Sequence, residues 1–105
     1  MQPWQKPGEL WWCPHNPLSP VSTAACIQLA ASIPNFAIQE YPLGEDSAPK
    51  NEIVKSTLTL KDGCLTVPEG PGIGIELNES AMNKYPYKPR LYVTKLREDG
   101  AVADQ

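Results

Sequence analysis

Apolar residues in this chain fall into short stretches cut apart by proline and glycine, and one stretch alone runs long enough for a full helix. From Val21 to Ser32 the sequence reads Val-Ser-Thr-Ala-Ala-Cys-Ile-Gln-Leu-Ala-Ala-Ser. Ser19 stands at the N-cap position, and Pro20 at the first helical position, where its missing N–H costs nothing. Pro34 closes the helix, because the residue before a proline is pushed out of the α region. Apolar residues cover most of the helix circumference, so it needs neighbours on more than one side. Glu9 to Cys13, with Trp11 and Trp12, predicts a short strand before the helix, and Asn35 to Tyr41 predicts another after it. Residues 1–8 read as a polar, proline-broken lead-in.

The later pattern is finer-grained. Leu43 to Asn51 predicts a polar loop. Thr57 to Val67 predicts a hairpin turning at Asp62-Gly63, residues that tolerate positive φ. Pro68 to Gly74 is rich in turn residues, Asn78 to Lys84 predicts one or two helical turns, and Arg90 to Lys95 a last strand before Glu98-Asp99-Gly100. Strand, helix, strand in that order implies a parallel pairing, which requires a crossover. Parallel sheets occur almost only with both faces covered. The pattern therefore predicts a piece of a larger α/β sheet, with no internal repeat.

Composition sharpens this picture. The chain has 105 residues, 12 of them proline, and a net charge of −3. So much proline predicts many loops and few long elements. The acidic balance and scattered cations give no pull toward nucleic acid or an anionic membrane. A chain of this size buries only about 60–65% of its unfolded surface and is marginal without a staple or partner. Cys13, Cys26 and Cys64, odd in number and without a Cys-x-x-Cys pair, predict neither a disulfide framework nor a zinc site, and fit free thiols in the cytoplasm. No stretch resembles a signal peptide or a membrane span.

Chemistry is concentrated at two positions. His15, the one histidine, lies at the end of the first predicted strand, and Glu40 at the end of the second. In α/β barrels, polar residues at the C-terminal ends of strands face the active site. A His and a Glu placed so could be a proton-transfer base and its hydrogen-bonding partner. On the residues alone, a structural histidine and a surface glutamate carry more weight. Gly70, Gly72 and Gly74 lack the strand–turn–helix context and the Lys-Ser/Thr of a phosphate loop, and Pro71 removes an N–H such a loop would use, so a structural turn is expected. Glu45, Asp46, Glu76 and Glu79 show no metal-ligand spacing. Tyr85, Tyr87, Lys88 and Arg90 read as packed aromatics with snorkelling cations.

Three segments carry a resemblance: His15-Asn-Pro-Leu-Ser-Pro-Val-Ser-Thr-Ala-Ala, Pro34-Asn-Phe-Ala-Ile-Gln-Glu-Tyr-Pro, and Pro68-Glu-Gly-Pro-Gly-Ile-Gly-Ile-Glu. In this order they resemble the end of the mandelate racemase/muconate lactonizing enzyme branch of the enolase superfamily, nearest its galactonate dehydratase-like proteins. Lys84-Tyr-Pro-Tyr-Lys-Pro and the closing Glu-Asp-Gly are similar to mannonate dehydratases. The resemblance implies an α/β fold: a C-terminal fragment of a modified TIM (β/α) barrel, about its last two strand–helix units, followed by a β-rich tail. Residues 14–105 would form that segment, and residues 1–13 an unrelated or frameshifted lead-in. An upstream frame encoding the missing strands is the expected finding at the locus.

The resemblance further implies that His15 is the general base at the end of the seventh strand. Glu40 becomes the eighth-strand glutamate that hydrogen-bonds the enediolate. The reaction would be abstraction of the proton α to a sugar-acid carboxylate, then β-elimination of water, assisted by Mg²⁺. The Mg²⁺ ligands, the aspartate that orients the base and the substrate-selecting capping domain belong to parts of the family that this chain lacks. It is therefore expected to bind no metal tightly and to be inactive alone. Expected partners are a small sugar acid and, as is common in the family, further copies of the chain, with no nucleic acid or membrane. The alternatives are a non-catalytic remnant that binds a partner through its open strand edge, and a racemase or cycloisomerase on the same scaffold.

Overall fold

The computed structural model describes residues 10–91 and 95–103. The lead-in at residues 1–8 and the centre of the strand expected at Arg90 to Lys95 lie outside them. Helix α1 spans Pro20–Ser32, with Pro20 in its first turn, and ends at Ile33 in extended geometry before Pro34. Ser19 takes the N-cap position but makes no side-chain cap bond. Its carbonyl instead accepts from the N–H of Thr23 at 3.0 Å. The buried residues of α1 are Pro20, Thr23, Ala24 and Ile27, the spacing of a single helical stripe. Ala25, Leu29 and Ala31 remain exposed. A helix apolar nearly all round is thus covered along one side.

On either side of α1 the chain makes a parallel bridge between Trp12 and Phe36. The Trp12 N–H donates to the Asn35 carbonyl at 2.9 Å, and the Ala37 N–H donates to the Trp12 carbonyl at 3.0 Å. This is the strand–helix–strand unit expected from the sequence, an α/β arrangement, with each expected strand shortened to one bridged position. Among the described residues no further strand lies beside this parallel pair to extend its ladder.

The remaining described residues form small β pieces and turns. Strands β1 (Leu60–Lys61) and β2 (Cys64–Leu65) pair antiparallel, Leu60 opposite Leu65. Between them Asp62 and Gly63 take φ of 52° and 76°, the left-handed pair that a two-residue hairpin turn requires. Val54 bridges Leu77 antiparallel, and a single helical turn, α2 (Ala81–Lys84), follows. The turn at Pro68 to Gly74 is lashed to α1 by Gln28, whose Nε2 donates to the Pro68 carbonyl at 2.7 Å. Gly74 has φ of 76°, and a Cβ there would lie 2.4 Å from the Pro68 Cβ. Gly74→Ala therefore forces both an unfavourable backbone region and an overlap. It is expected to lower stability by about 2 kcal/mol, read as a lower apparent melting midpoint at matched protein concentration.

Little of the chain encloses a core. Among the described residues Ala24, Ile27, Val54 and Ala81 are the buried hydrophobic ones, while Leu10, Ile38, Leu43, Tyr87 and Leu91 stand largely in solvent. The radius of gyration is 17.9 Å, against about 13 Å for a compact domain of this length. So much exposed apolar surface is a drive to association. In sedimentation the purified chain is expected to run as dimers or larger species, with a broad melt. A monomer with a sharp cooperative melt would contradict this.

Candidate active site

His15 and Glu40 meet. The segment Pro14 to Pro17 carries His15 away from the Trp12 bridge, and the segment after Phe36 carries Glu40 away from the same bridge. The pairing of Trp12 with Phe36 therefore brings the two side chains to one end of the unit. His15 Nδ1 lies 3.0 Å from Glu40 Oε2, with the imidazole 83% and the carboxylate 45% exposed. The same oxygen accepts the backbone N–H of Asn16 at 2.5 Å. With Nδ1 engaged by the carboxylate, Nε2 is the nitrogen left free to take a proton.

Behind this open pair lies a buried polar cluster that the sequence did not single out. Asn16, Thr23 and Glu45 are each at most 1% exposed. Asn16 Nδ2 donates to Thr23 Oγ1 at 2.7 Å and to the Glu40 carbonyl at 3.2 Å. Thr23 Oγ1 in turn donates to Glu45 Oε2 at 2.7 Å. Burial pushes the Glu45 carboxyl above its ordinary value, and the Thr23 hydrogen bond and the Lys50 charge pull back against it. Glu45 Oε1 and Asn16 Oδ1 are buried without a partner. Tyr41 is likewise raised, by burial first and then by Glu45 and Asp46. One sign of this cluster was present in the sequence: a threonine on the stripe shared with Ala24 and Ile27 has a hydroxyl that needs a partner wherever that stripe is buried.

As expected from sequence, the Gly70 to Gly74 stretch is a turn, and the cysteines Cys13, Cys26 and Cys64 are free thiols. The aromatic and cationic stretch departs from its expectation: Tyr85, Tyr87, Lys88 and Arg90 are exposed rather than packed, because no apolar surface of the described residues covers them. Tyr85 and Lys84 converge on Glu52, whose Oε2 takes Lys84 Nζ at 2.6 Å and the Tyr85 hydroxyl at 2.7 Å. A cleft of about 390 Å³ opens between α1 and the hairpin, lined by Ile27, Phe36, Ile38, Leu65 and Val67 among others; His15 and Glu40 do not line it. No described helix is long and apolar enough to cross a membrane.

Residues 9–81 match the family model described as "Enolase C-terminal domain-like". The chain belongs to that family. The match takes in Trp12, His15, α1, Phe36, Glu40 and the hairpin. Among curated relatives, this family member is 36% identical over 93 residues to a D-galactonate dehydratase family member of Streptomyces bingchenggensis, covering 87% of the chain and 22% of the relative. It is 38% identical over 92 residues to a D-galactonate dehydratase family member of Pseudarthrobacter chlorophenolicus, covering 86% and 22%. It is 34% identical over 87 residues to a D-mannonate dehydratase of Xanthomonas oryzae, covering 83% and 20%. The chain thus spans about a fifth of the length of the curated relatives it matches.

Proposed function

We propose that this family member carries the proton-abstracting end of an acid-sugar dehydratase site, with His15 as the base. The observation that carries the reading is the 3.0 Å pairing of His15 Nδ1 with Glu40 Oε2, in a chain whose curated relatives are named for D-galactonate and D-mannonate dehydration. The Nε2 lone pair takes the proton α to the substrate carboxylate, and the C–H pair becomes an enediolate. As that enediolate collapses, the C–O bond to the β-hydroxyl breaks, the hydroxyl leaves as water with the proton returned by the imidazolium, and the enol so formed tautomerises to the ketone. The product is a 2-keto-3-deoxy acid. A proton in that position is weakly acidic, so an imidazole removes it only where the enediolate is stabilised as it forms.

In the family resemblance this stabilisation comes from Mg²⁺. The donors in this chain do not fit that ion. Mg²⁺ takes near-octahedral oxygen ligation. Yet no group of three or more His, Cys, Asp or Glu gathers among the described residues, and Glu40 Oε2 is already shared by His15 and Asn16. The chain alone is accordingly expected not to turn over D-galactonate, D-mannonate or other aldonates.

Grafting residues 14–81 in place of the matching segment of the Xanthomonas D-mannonate dehydratase tests the reading. Dehydration retained by the graft and lost on His15→Asn supports it, and a graft indifferent to His15 overturns it. Product analysis separates dehydration from racemisation or cycloisomerisation. A second reading, partner binding without catalysis, draws on the exposed Leu10 and Trp11 beside the Trp12 bridge. It is favoured if the chain binds the intact relative while the graft is inactive.

A further inference from the structure

We propose that Asn16 is the positioning residue of the His15–Glu40 pair, held to that duty by Thr23 and Glu45. The inference rests on the reading of His15 as the base and names what holds its imidazole in this chain, which lacks the aspartate that orients the base in the family resemblance. An exposed imidazole and a half-exposed carboxylate hold one another weakly, since water competes for both. Asn16, wholly buried, supplies what the pair lacks. Its backbone N–H fixes Glu40 Oε2 from one side and its amide Nδ2 fixes the Glu40 carbonyl from another. One residue thus grips Glu40 at both its carboxylate and its main chain, while its covalent neighbour is His15 itself.

The amide of Asn16 is in turn oriented. Nδ2 needs an acceptor beyond the Glu40 carbonyl, and Thr23 Oγ1 provides it at 2.7 Å. A hydroxyl has one proton and two lone pairs. When Glu45 is ionised, Thr23 donates to its Oε2 and accepts from Asn16. When Glu45 is protonated, Thr23 can accept from it and turn its own proton to the Ser19 carbonyl, 3.3 Å away. In both states a lone pair remains for Asn16, so its grip on Glu40 does not depend on the charge of Glu45. What it needs from residue 45 is a hydrogen-bonding partner of the right shape.

The test uses the full chain labelled with ¹⁵N and the long-range ¹H–¹⁵N spectrum of its single histidine, recorded with the imidazole neutral and no substrate present. The expected result is a dominant Nδ1–H tautomer. Asn16→Ala should shift the tautomer ratio toward Nε2–H at least about threefold, as Glu40→Ala should, while amide signals of the Asp62-Gly63 hairpin stay in place. Glu45→Gln, which keeps an acceptor for Thr23, should retain the parent ratio. An Asn16 that serves only to tie its loop to α1 would leave the ratio unmoved. If Asn16→Ala does not fold, the parent chain and Glu40→Ala decide: the Asn16 amide proton should lie downfield in the parent and move upfield in Glu40→Ala, and the parent's side-chain amide protons should exchange slowly. A parent chain without tautomer preference, an unmoved ratio in Asn16→Ala, or an Asn16 amide blind to Glu40 overturns the proposal. Loss of turnover in the graft with the tautomer intact would count against the base assignment alone.

Discussion

Replacing His15 by asparagine in the grafted dehydratase is expected to lower kcat for D-mannonate by at least about a thousandfold, with KM changed by less than about threefold. Asparagine has nearly the volume of the imidazole and keeps a donor for Glu40, so the carboxylate stays paired. What it lacks is a nitrogen that can accept a proton near neutrality. General-base catalysis is worth about 10²–10⁴-fold, and a group used only in proton transfer lowers kcat without weakening substrate binding. Steady-state kinetics on a purified, folded graft gives the answer. A rise in KM at unchanged kcat would make His15 a binding residue and remove it from the chemistry. Glu40→Gln should cost less, because the amide oxygen can still accept from Nδ1 and from the Asn16 N–H.

Thr23→Val is expected to destabilise the chain by about 3 kcal/mol at pH 7 and by only about 1 kcal/mol at pH 4, with Thr23→Ser close to the parent at both. The larger figure is the cost of leaving a buried charged acceptor without its donor, and the smaller that of one lost neutral hydrogen bond. The sign follows from Glu45. Its folded value lies above the unfolded one because burial disfavours the carboxylate. Its contribution to stability is therefore best below the ordinary glutamate value and declines as pH rises through the raised one. Valine removes the hydroxyl that holds the carboxylate down, raises the folded value further and deepens the loss on the neutral side. Denaturant midpoints at the two pH values, at one protein concentration, measure it. An equal loss at both would show that Glu45 does not carry charge in the folded chain at pH 7.

These two residues also mark how far the sequence could be read. The meeting of His15 and Glu40 was legible because each ends a short apolar run on either side of a well-punctuated helix, and such ends meet when the runs pair in parallel; a role for them came only with the family resemblance. Helix α1 was legible from Ser19-Pro20 and Pro34, and the hairpin from Asp62-Gly63, since these residues act through their own backbones. Thr23, Asn16 and Glu45 act through contacts between segments. Asn16 sits between prolines and Glu45 in a polar loop, so local pattern places both at the surface, whereas packing buries them. The extent of the strands was not legible either. Asn35 to Tyr41 has the composition of a strand, but a ladder forms only where a neighbour is present, and here one bridged residue has one.

The convergence of Lys84 and Tyr85 on Glu52 sets how that contact responds to ionic strength. The three groups lie at the surface, and their hydrogen bonds hold Glu52 below and Lys84 above their usual values. Mobile ions screen such a contact over a Debye length of about 10 Å in 0.1 M salt, while Asn16, Thr23 and Glu45 are shut away from them. Added salt therefore loosens the turn at Ala81–Lys84 from the loop beneath it and leaves the imidazole's support untouched. Electrolyte sensitivity belongs to the tail and not to the buried cluster behind His15 and Glu40.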